Sequence, residues 1–276
     1  MVMVAGCADA DPEAPGRAAD RSPADMPAAA DCPAAPPERL VPVVQRRLGH
    51  DPEAFTQGLV MADGVLWEST GRVGRSSLRA TDPASGEVLR LAASPPGVFA
   101  EGLAVRADGS LVQLTWTEGR AFVWDPATLE VLEEFSYRGE GWGLTAAGDG
   151  LWMSDGSDRI TERDPADFSV RDVWTVRRRG APADRLNELD WDGQRLWANR
   201  WRTDEILRID PVCRQVDAVV DASALSAEAR AAAPDGAEVD VLNGIAHVPG
   251  TDRFILTGKL WPVSFEVTFE PADGPG

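Results

Sequence analysis

From residue 39 onward, short apolar runs alternate with turns rich in glycine and aspartate, and helical periodicity is nearly absent. Four Asp-Pro pairs follow strand-like runs, in LRATDPASGEVLRL, AFVWDPATLEVLEEF, ITERDPADFSVRDVWTV and ILRIDPVCRQVDAVVD. Their aspartates, Asp82, Asp125, Asp164 and Asp210, recur at intervals of about 40–45 residues, the length of a four-stranded repeat. Asp-Pro is turn chemistry, because proline presets φ and the aspartate accepts from nearby backbone N–H groups. Upstream of each pair a second hairpin tip carries Gly or Asp: VMADGVLWEST, VRADGSLVQLTW, TAAGDGLWMSD and DWDGQRLWANRW. A fifth unit, IAHVPGTDRFILTGKLWPVSFEVTF, keeps this hairpin and a third strand but lacks the Asp-Pro pair and a fourth strand. The lone strand candidate RLVPVVQRRL, residues 39–48, can supply the missing outer strand and protect the sheet edges. The pattern therefore predicts an all-β fold, a five-bladed β-propeller over 39–272 whose last blade is closed by the N-terminal strand. One helix is expected, at SALSAEARAAA, residues 223–233. A β-sandwich is the structural alternative, but it does not predict regular repeats.

Residues 1–38 break the pattern. They are rich in Ala, Pro and Asp, without apolar periodicity, and read as a disordered tether. VAGC, ending at Cys7, resembles the lipobox of bacterial lipoproteins, although only Met1–Val4 precede it. This reading expects an exported, periplasmic or cell-surface lipoprotein with a lipid anchor at Cys7 and a start lying upstream. No run approaches the roughly 18 apolar residues of a transmembrane helix. The other two cysteines, Cys32 and Cys213, are either a disulfide or two unrelated thiols. A net charge of −18 argues against nucleic acid or an anionic membrane as partner. A closed propeller of this charge is expected to be a monomer.

Candidate chemistry comes from position within the repeat. The innermost strands begin at FTQG, FAEG, GEGWG, LNEL and LNGI, which carry Gln57, Glu101, Glu140 with Trp142, Asn187 with Glu188, and Asn243. Such residues converge near a propeller axis, where they bond backbone amides, hold a water, or offer oxygen ligands to a structural calcium ion. A second set lies where strand two meets the following loop: Glu68, Trp116, Ser154-Asp155, Asn199 with Trp201, and Lys259. If the two sets share a face, a carboxylate, an ammonium, amides and indoles surround one pocket, a combination suited to proton transfer and carbonyl polarisation. His50 reads as a turn residue and His247 lies mid-strand, so no Ser/His/Asp set is present. No His/Cys cluster suggests zinc.

HDPEAFTQGL, LWESTGRVGRSSLR, LVQLTWTEGRAFVWD, GEGWGLT, MSDGSD, LNELDW, WANRWRTDEILRIDP and LTGKLWP together resemble the plant-type glutaminyl-peptide cyclotransferases, which also occur in bacteria. The resemblance runs from about His50 to Phe269 and implies a five-bladed propeller. It implies conversion of N-terminal glutamine of peptides or proteins to pyroglutamate with release of ammonia, and no required metal or cofactor. Carried over by position, Glu68 in LWEST is the acid/base, with Ser69 where the family more usually has Gly. Lys259 and Asn187 bind or polarise the γ-amide and its oxyanion. Trp116 and Trp201 are aromatic walls, with Gln57 and Trp142 as further members of the pocket. Two rival readings remain: a calcium-dependent lactonase-type propeller hydrolase, and a non-catalytic propeller binding module.

Overall fold

The computed structural model describes Cys32 and residues 35–272; the tether and Cys7 expectations fall outside the described residues. Alternating apolar strands separated by tight turns form sheets stacked side by side. Strand β1 (Glu38–Gly49) is followed by a four-stranded antiparallel sheet of β2 (Thr56–Ala62), β3 (Val65–Thr70), β4 (Ser77–Thr81) and β5 (Val88–Ala93). The second sheet is β6 (Ala100–Val105), β7 (Leu111–Thr115), β8 (Arg120–Trp124) and β9 (Val131–Ser136). The third is β10 (Leu144–Ala147), β11 (Gly150–Ser154), β12 (Arg159–Arg163) and β13 (Val170–Thr175). After a small hairpin of β14 (Arg177–Arg178) and β15 (Ala181–Pro182) come β16 (Leu186–Trp191), β17 (Leu196–Arg200), β18 (Glu205–Asp210) and β19 (Gln215–Asp221). Helix α1 (Ser223–Ala232), one residue shorter than expected, leads to β20 (Leu242–His247), β21 (Phe254–Gly258) and β22 (Val263–Pro271).

The Asp-Pro turns do what their chemistry predicts. Asp82, Asp125, Asp164 and Asp210 each accept, through Oδ1, the N–H two residues ahead, at 2.7–2.9 Å. As expected, β1 pairs antiparallel with β22, from Leu40 opposite Pro271 to Gly49 opposite Val263, with a bulge between Val44 and Arg46. The sequence reading missed its other partner. Residues Glu38–Leu40 also pair in parallel with Ala218–Val220 of β19, merging the last two sheets into one hydrogen-bonded surface.

The first strands of successive units neighbour one another in a cycle: β2 with β6, β6 with β10, β10 with β16, β16 with β20, and β20 with β2. Crowding there explains the glycines. A Cβ on Gly58 would lie 2.5 Å from Leu103 N, and one on Gly102 2.5 Å from Leu144 N. Between adjacent sheets lie apolar layers, such as Trp67 and Leu78 against Phe122 and Trp124, or Ile206 and Val220 against Ile245 and Phe265. Each fully buried Leu or Phe in such a layer stabilises the fold by about 1.5–3 kcal/mol.

Cys32 and Cys213 are each disulfide-bonded. Among the described residues no helix is long and apolar enough to cross a membrane.

Candidate active site

The two strands of each inner hairpin run antiparallel, so the start of the first and the end of the second reach the same rim. This brings the two sequence sets together. Gln57 on β2, Glu101 on β6, Trp142 just before β10 and Asn187 on β16 meet Trp116, Trp201 and Lys259, which directly follow β7, β17 and β21. They line a cavity of about 410 Å³ together with Phe55, Phe99, Arg202, Asp240 and Val241.

Its walls are aromatic and held in place by one carboxylate. Glu140 Oε2 accepts from the indole N–H groups of both Trp116, at 2.8 Å, and Trp142, at 2.9 Å. Trp142 meets Trp201 edge-on at 5.2 Å between centroids, and Phe99 packs between Phe55 and Trp116. Trp116 is 40% exposed, which puts it at the mouth.

The polar groups at the base are few. Glu101 is 5% exposed and accepts from Gln57 Nε2 at 2.9 Å. Burial pushes its carboxyl well above the usual carboxylate range; the Lys259 ammonium opposes this, while Glu118 and Glu140 reinforce it. Burial likewise lowers Lys259 against the pull of Glu101 and Asp240. The Lys259 ammonium lies 4.8 Å from the centre of the Phe55 ring and makes no salt bridge or hydrogen bond among the described residues. Asn187 Oδ1 is buried without a hydrogen-bond partner. An orphaned carbonyl oxygen in a cavity wall is an acceptor waiting for a ligand N–H.

Glu68 is not among the lining residues. It is 3% exposed and buried outside the cavity, where its Oε1 accepts from Thr56 Oγ1 at 2.7 Å and meets His50 Nε2 at 3.1 Å. The reason is register. Trp116, Trp201 and Lys259 each follow the last residue of their strand, and in the first unit that position is Gly71. Glu68 sits three residues earlier, an odd offset that turns its side chain to the opposite face of β3. The vacated position is filled by Phe99, whose ring would lie 2.3 Å from a Cβ on Gly71.

The carboxylate that does reach the cavity, Glu101, was grouped with the structural residues of the axis in the sequence reading. Its repeat position could have shown otherwise. Gln57, Glu101 and Trp142 occupy equivalent places, each immediately before a close-packed glycine, and Asn187 matches them with Glu188 in the glycine position. A second signal was missed: Lys259 is the chain's single lysine, all other basic residues being arginine or histidine. Phe55, Phe99, Arg202 and Asp240 were not foreseen.

The axial calcium expectation meets a different use of the donors. Glu188 accepts from Leu59 N–H at 3.0 Å and Ile245 N–H at 2.9 Å, tying β2 and β20 to β16. Asp190 accepts from His247 N–H. Burial pushes Glu188 well above its usual range and Asp190 up to about 8. Carboxyls biased towards protonation and already accepting N–H bonds are poor calcium ligands. Among the described residues no three His, Cys, Asp or Glu converge on a metal site.

Comparison with known proteins places the chain in a family. The sequence model of the family described as Glutamine cyclotransferase matches residues 20–269. A glutaminyl-peptide cyclotransferase of Arabidopsis thaliana is 36% identical over 225 residues, 81% of this chain and 69% of that one. The crystal structure of Myxococcus xanthus glutaminyl cyclase, 39% identical, superposes with a TM-score of 0.79 over 86% of this chain and all of that one. The chain is an enzyme that belongs to the glutamine cyclotransferase family.

Proposed function

We propose that the protein is a glutaminyl-peptide cyclotransferase whose proton carrier is Glu101. The observation that carries this reading is the buried carboxyl of Glu101 in an aromatic cavity, beside the chain's single lysine and raised by burial well above the usual carboxylate range. In the reaction the α-amine nitrogen of an N-terminal glutamine attacks its own γ-carboxamide carbon. The ring C–N bond forms, the bond to the amide nitrogen breaks, and ammonia leaves. One proton must travel from the attacking nitrogen to the departing one. A carboxyl whose pKa is raised by burial holds a proton more tightly than an ordinary carboxylate, which suits it to take that proton and return it.

The remaining residues fit supporting roles. Near neutrality most of the substrate amine, with a pKa of about 7.7–8.0, is protonated, so a base beside it is needed. Lys259 is suited to stabilising the oxygen that gains negative charge, a contribution typically worth about 10²–10³ in rate. Asn187 Oδ1 accepts from the carboxamide N–H₂, and Gln57 orients Glu101. Trp116, Trp142 and Trp201 hold the side chain folded for cyclisation and keep bulk water from competing with the amine. Glu68 has no place in this chemistry.

The cycle of five inner strands supports five blades over 39–272, the last completed by β1. The segment before β1 is assigned the tethering role, with a lipid anchor at Cys7. The disulfide-bonded cysteines support export to an oxidising compartment. We assign a monomer that needs no cofactor.

The test is direct. Purified protein is incubated with a Gln-initiated peptide, and the products are read by mass spectrometry and by ammonia release. The expected result is loss of one ammonia, unaffected by EDTA. Absence of product from folded protein rejects the function; loss of activity to EDTA with rescue by Ca²⁺ favours the hydrolase reading.

A further inference from the structure

Behind the cavity wall lies a buried ionic cluster that the proposed chemistry does not use. Its centre is His50, whose side chain is 9% exposed. Nδ1 lies 2.6 Å from the backbone oxygen of Trp261, and Nε2 lies 3.1 Å from Glu68 Oε1. A carbonyl oxygen can only accept, and Glu68 Oε1 already accepts the Thr56 hydroxyl. Nδ1 therefore faces an acceptor alone, while Nε2 faces the nearer Glu68 carboxylate at 3.1 Å and the Thr56 hydroxyl at 3.4 Å. The imidazolium, with a proton on each nitrogen, satisfies both the carbonyl and the carboxylate and leaves the Thr56 proton to Glu68.

What the imidazolium holds is the turn that carries Lys259. Leu260 has a φ of 61°, a left-handed conformation that a bulky side chain adopts only when its surroundings impose it. Several bonds impose it. Leu260 N–H donates to Ala54 O at 2.7 Å, His50 N–H to Pro262 O at 3.3 Å, and the His50 ring to Trp261 O. From the other side, Lys259 N–H donates to Val241 O and Trp261 Nε1 to Asp240 O, both at 2.9 Å. The chain from His50 to Phe55 thus joins the ionic cluster to the ring that faces the Lys259 ammonium.

We propose that His50, paired with Glu68, is a positioning residue that locks the Leu260–Trp261 turn and so holds the Lys259 ammonium in the cavity. The charges around it agree. Burial alone would lower His50, but Glu68 outweighs it and the imidazole is raised overall; Arg79 opposes weakly. Glu68 is lowered despite burial, by His50, Arg79 and Thr56. Arg79 also donates to Asp51 at 2.8 Å, so Glu68, Arg79 and Asp51 are the charged groups facing the ring, and the turn presents only a carbonyl. When pH rises through the raised His50 value, one nitrogen loses its proton while still facing an acceptor. The lock then loosens. The link to turnover rests on the role assigned to Lys259 above, whereas the state of His50 does not.

Two measurements test this, the first without any assay of activity. The chain has two histidines and one lysine, so ¹⁵N-histidine and ¹³Cε-lysine labelling give assignable spectra, with His247→Gln identifying His50. The expected result is a His50 ring protonated on both nitrogens at about pH 6.5, where a free imidazole is only half protonated, and a Lys259 resonance that shifts in His50→Gln and Glu68→Gln. A single neutral tautomer, or a Lys259 signal unmoved in both variants, overturns the proposal. The second is a double-variant cycle on a Gln-initiated peptide. His50→Gln is expected to lower kcat by about 10–100-fold, the scale of a small misplacement of a catalytic group. On a Lys259→Ala background the same change should cost less than about 2-fold, since non-additivity is the mark of a shared path. A full additional loss there means that His50 does not act through Lys259. If the parent protein releases no ammonia, the proposed function fails, and the spectra still decide the lock.

Discussion

Replacing Glu101 by glutamine separates the two carboxylates that a sequence reading can confuse. The side chains are nearly isosteric, and the cavity surroundings of Glu101 are already those of a group driven towards neutrality. The fold should therefore tolerate the change, with melting temperature within a few degrees of the parent. Chemistry should not. A positioned acid/base contributes about 10²–10⁴-fold, so kcat/KM is expected to fall by that factor, or about 3–5 kcal/mol of barrier. Part of the loss is indirect, because Lys259 loses the carboxylate that opposes the effect of its burial. The assay is ammonia release from a Gln-initiated peptide, with circular dichroism as the control for folding. Glu68→Gln in parallel is expected to retain measurable turnover, with a defect that disappears on the Lys259→Ala background. Near-normal activity in Glu101→Gln, together with an inactive but folded Glu68→Gln, would refute the assignment and restore the proton-carrying role to Glu68.

Three further outcomes follow from the charges of the cavity and the axis. Lys259→Ala removes the cation that holds Glu101 down, so the acid limb of residual kcat/KM should move to higher pH; an unmoved limb would separate the two groups. Glu140→Ala frees the indoles of Trp116 and Trp142, and should raise KM for a Gln-initiated peptide about 10-fold while changing kcat less, as expected for hydrogen bonds that organise binding. Asp190 is raised to about 8 in the folded state against an ordinary aspartate value of about 3.9 unfolded. Its contribution is complete below the unfolded value and is lost as pH rises from there through the folded one, at most about 6 kcal/mol for that shift. Asp190→Asn should therefore flatten the fall in melting temperature between about pH 4 and 8, and an unchanged slope would show that Asp190 is ionised in the fold.

The repeat could be read from the chain because turns are local. Asp82, Asp125, Asp164 and Asp210 bond their own loops, so their spacing marked the sheets without any knowledge of tertiary contacts. The closing role of β1 was legible by elimination, one strand lacking and one left over. Its parallel pairing to β19 was not, since nothing local to either strand encodes it. Most of the cavity was legible for the same reason as the repeat: Trp116, Trp201 and Lys259 share a place in their units. The carboxylate that lines the cavity was not singled out, because Glu68 stands three positions before the place just after β3 that matches Trp116, Trp201 and Lys259 in their units. Strand side chains alternate faces, so a residue misaligned by an odd number lands in the wrong compartment. Glu68 and Glu101 differ in that respect more than in chemistry.

The pairing of β1 with β22 also sets a schedule. Among the described strands, the first made cannot find its antiparallel partner until the last has been produced, and the intervening sheets must wait with one seam open. Contacts between distant parts of a chain form slowly, because loop closure must precede the interactions that reward it. The cavity inherits this timing. Phe55 comes early, Glu101 and Asn187 in the middle, and Lys259 only a few residues before β22, which seats it. No nascent fragment holds the whole set, so catalytic competence should switch on in a single late event rather than accrue sheet by sheet.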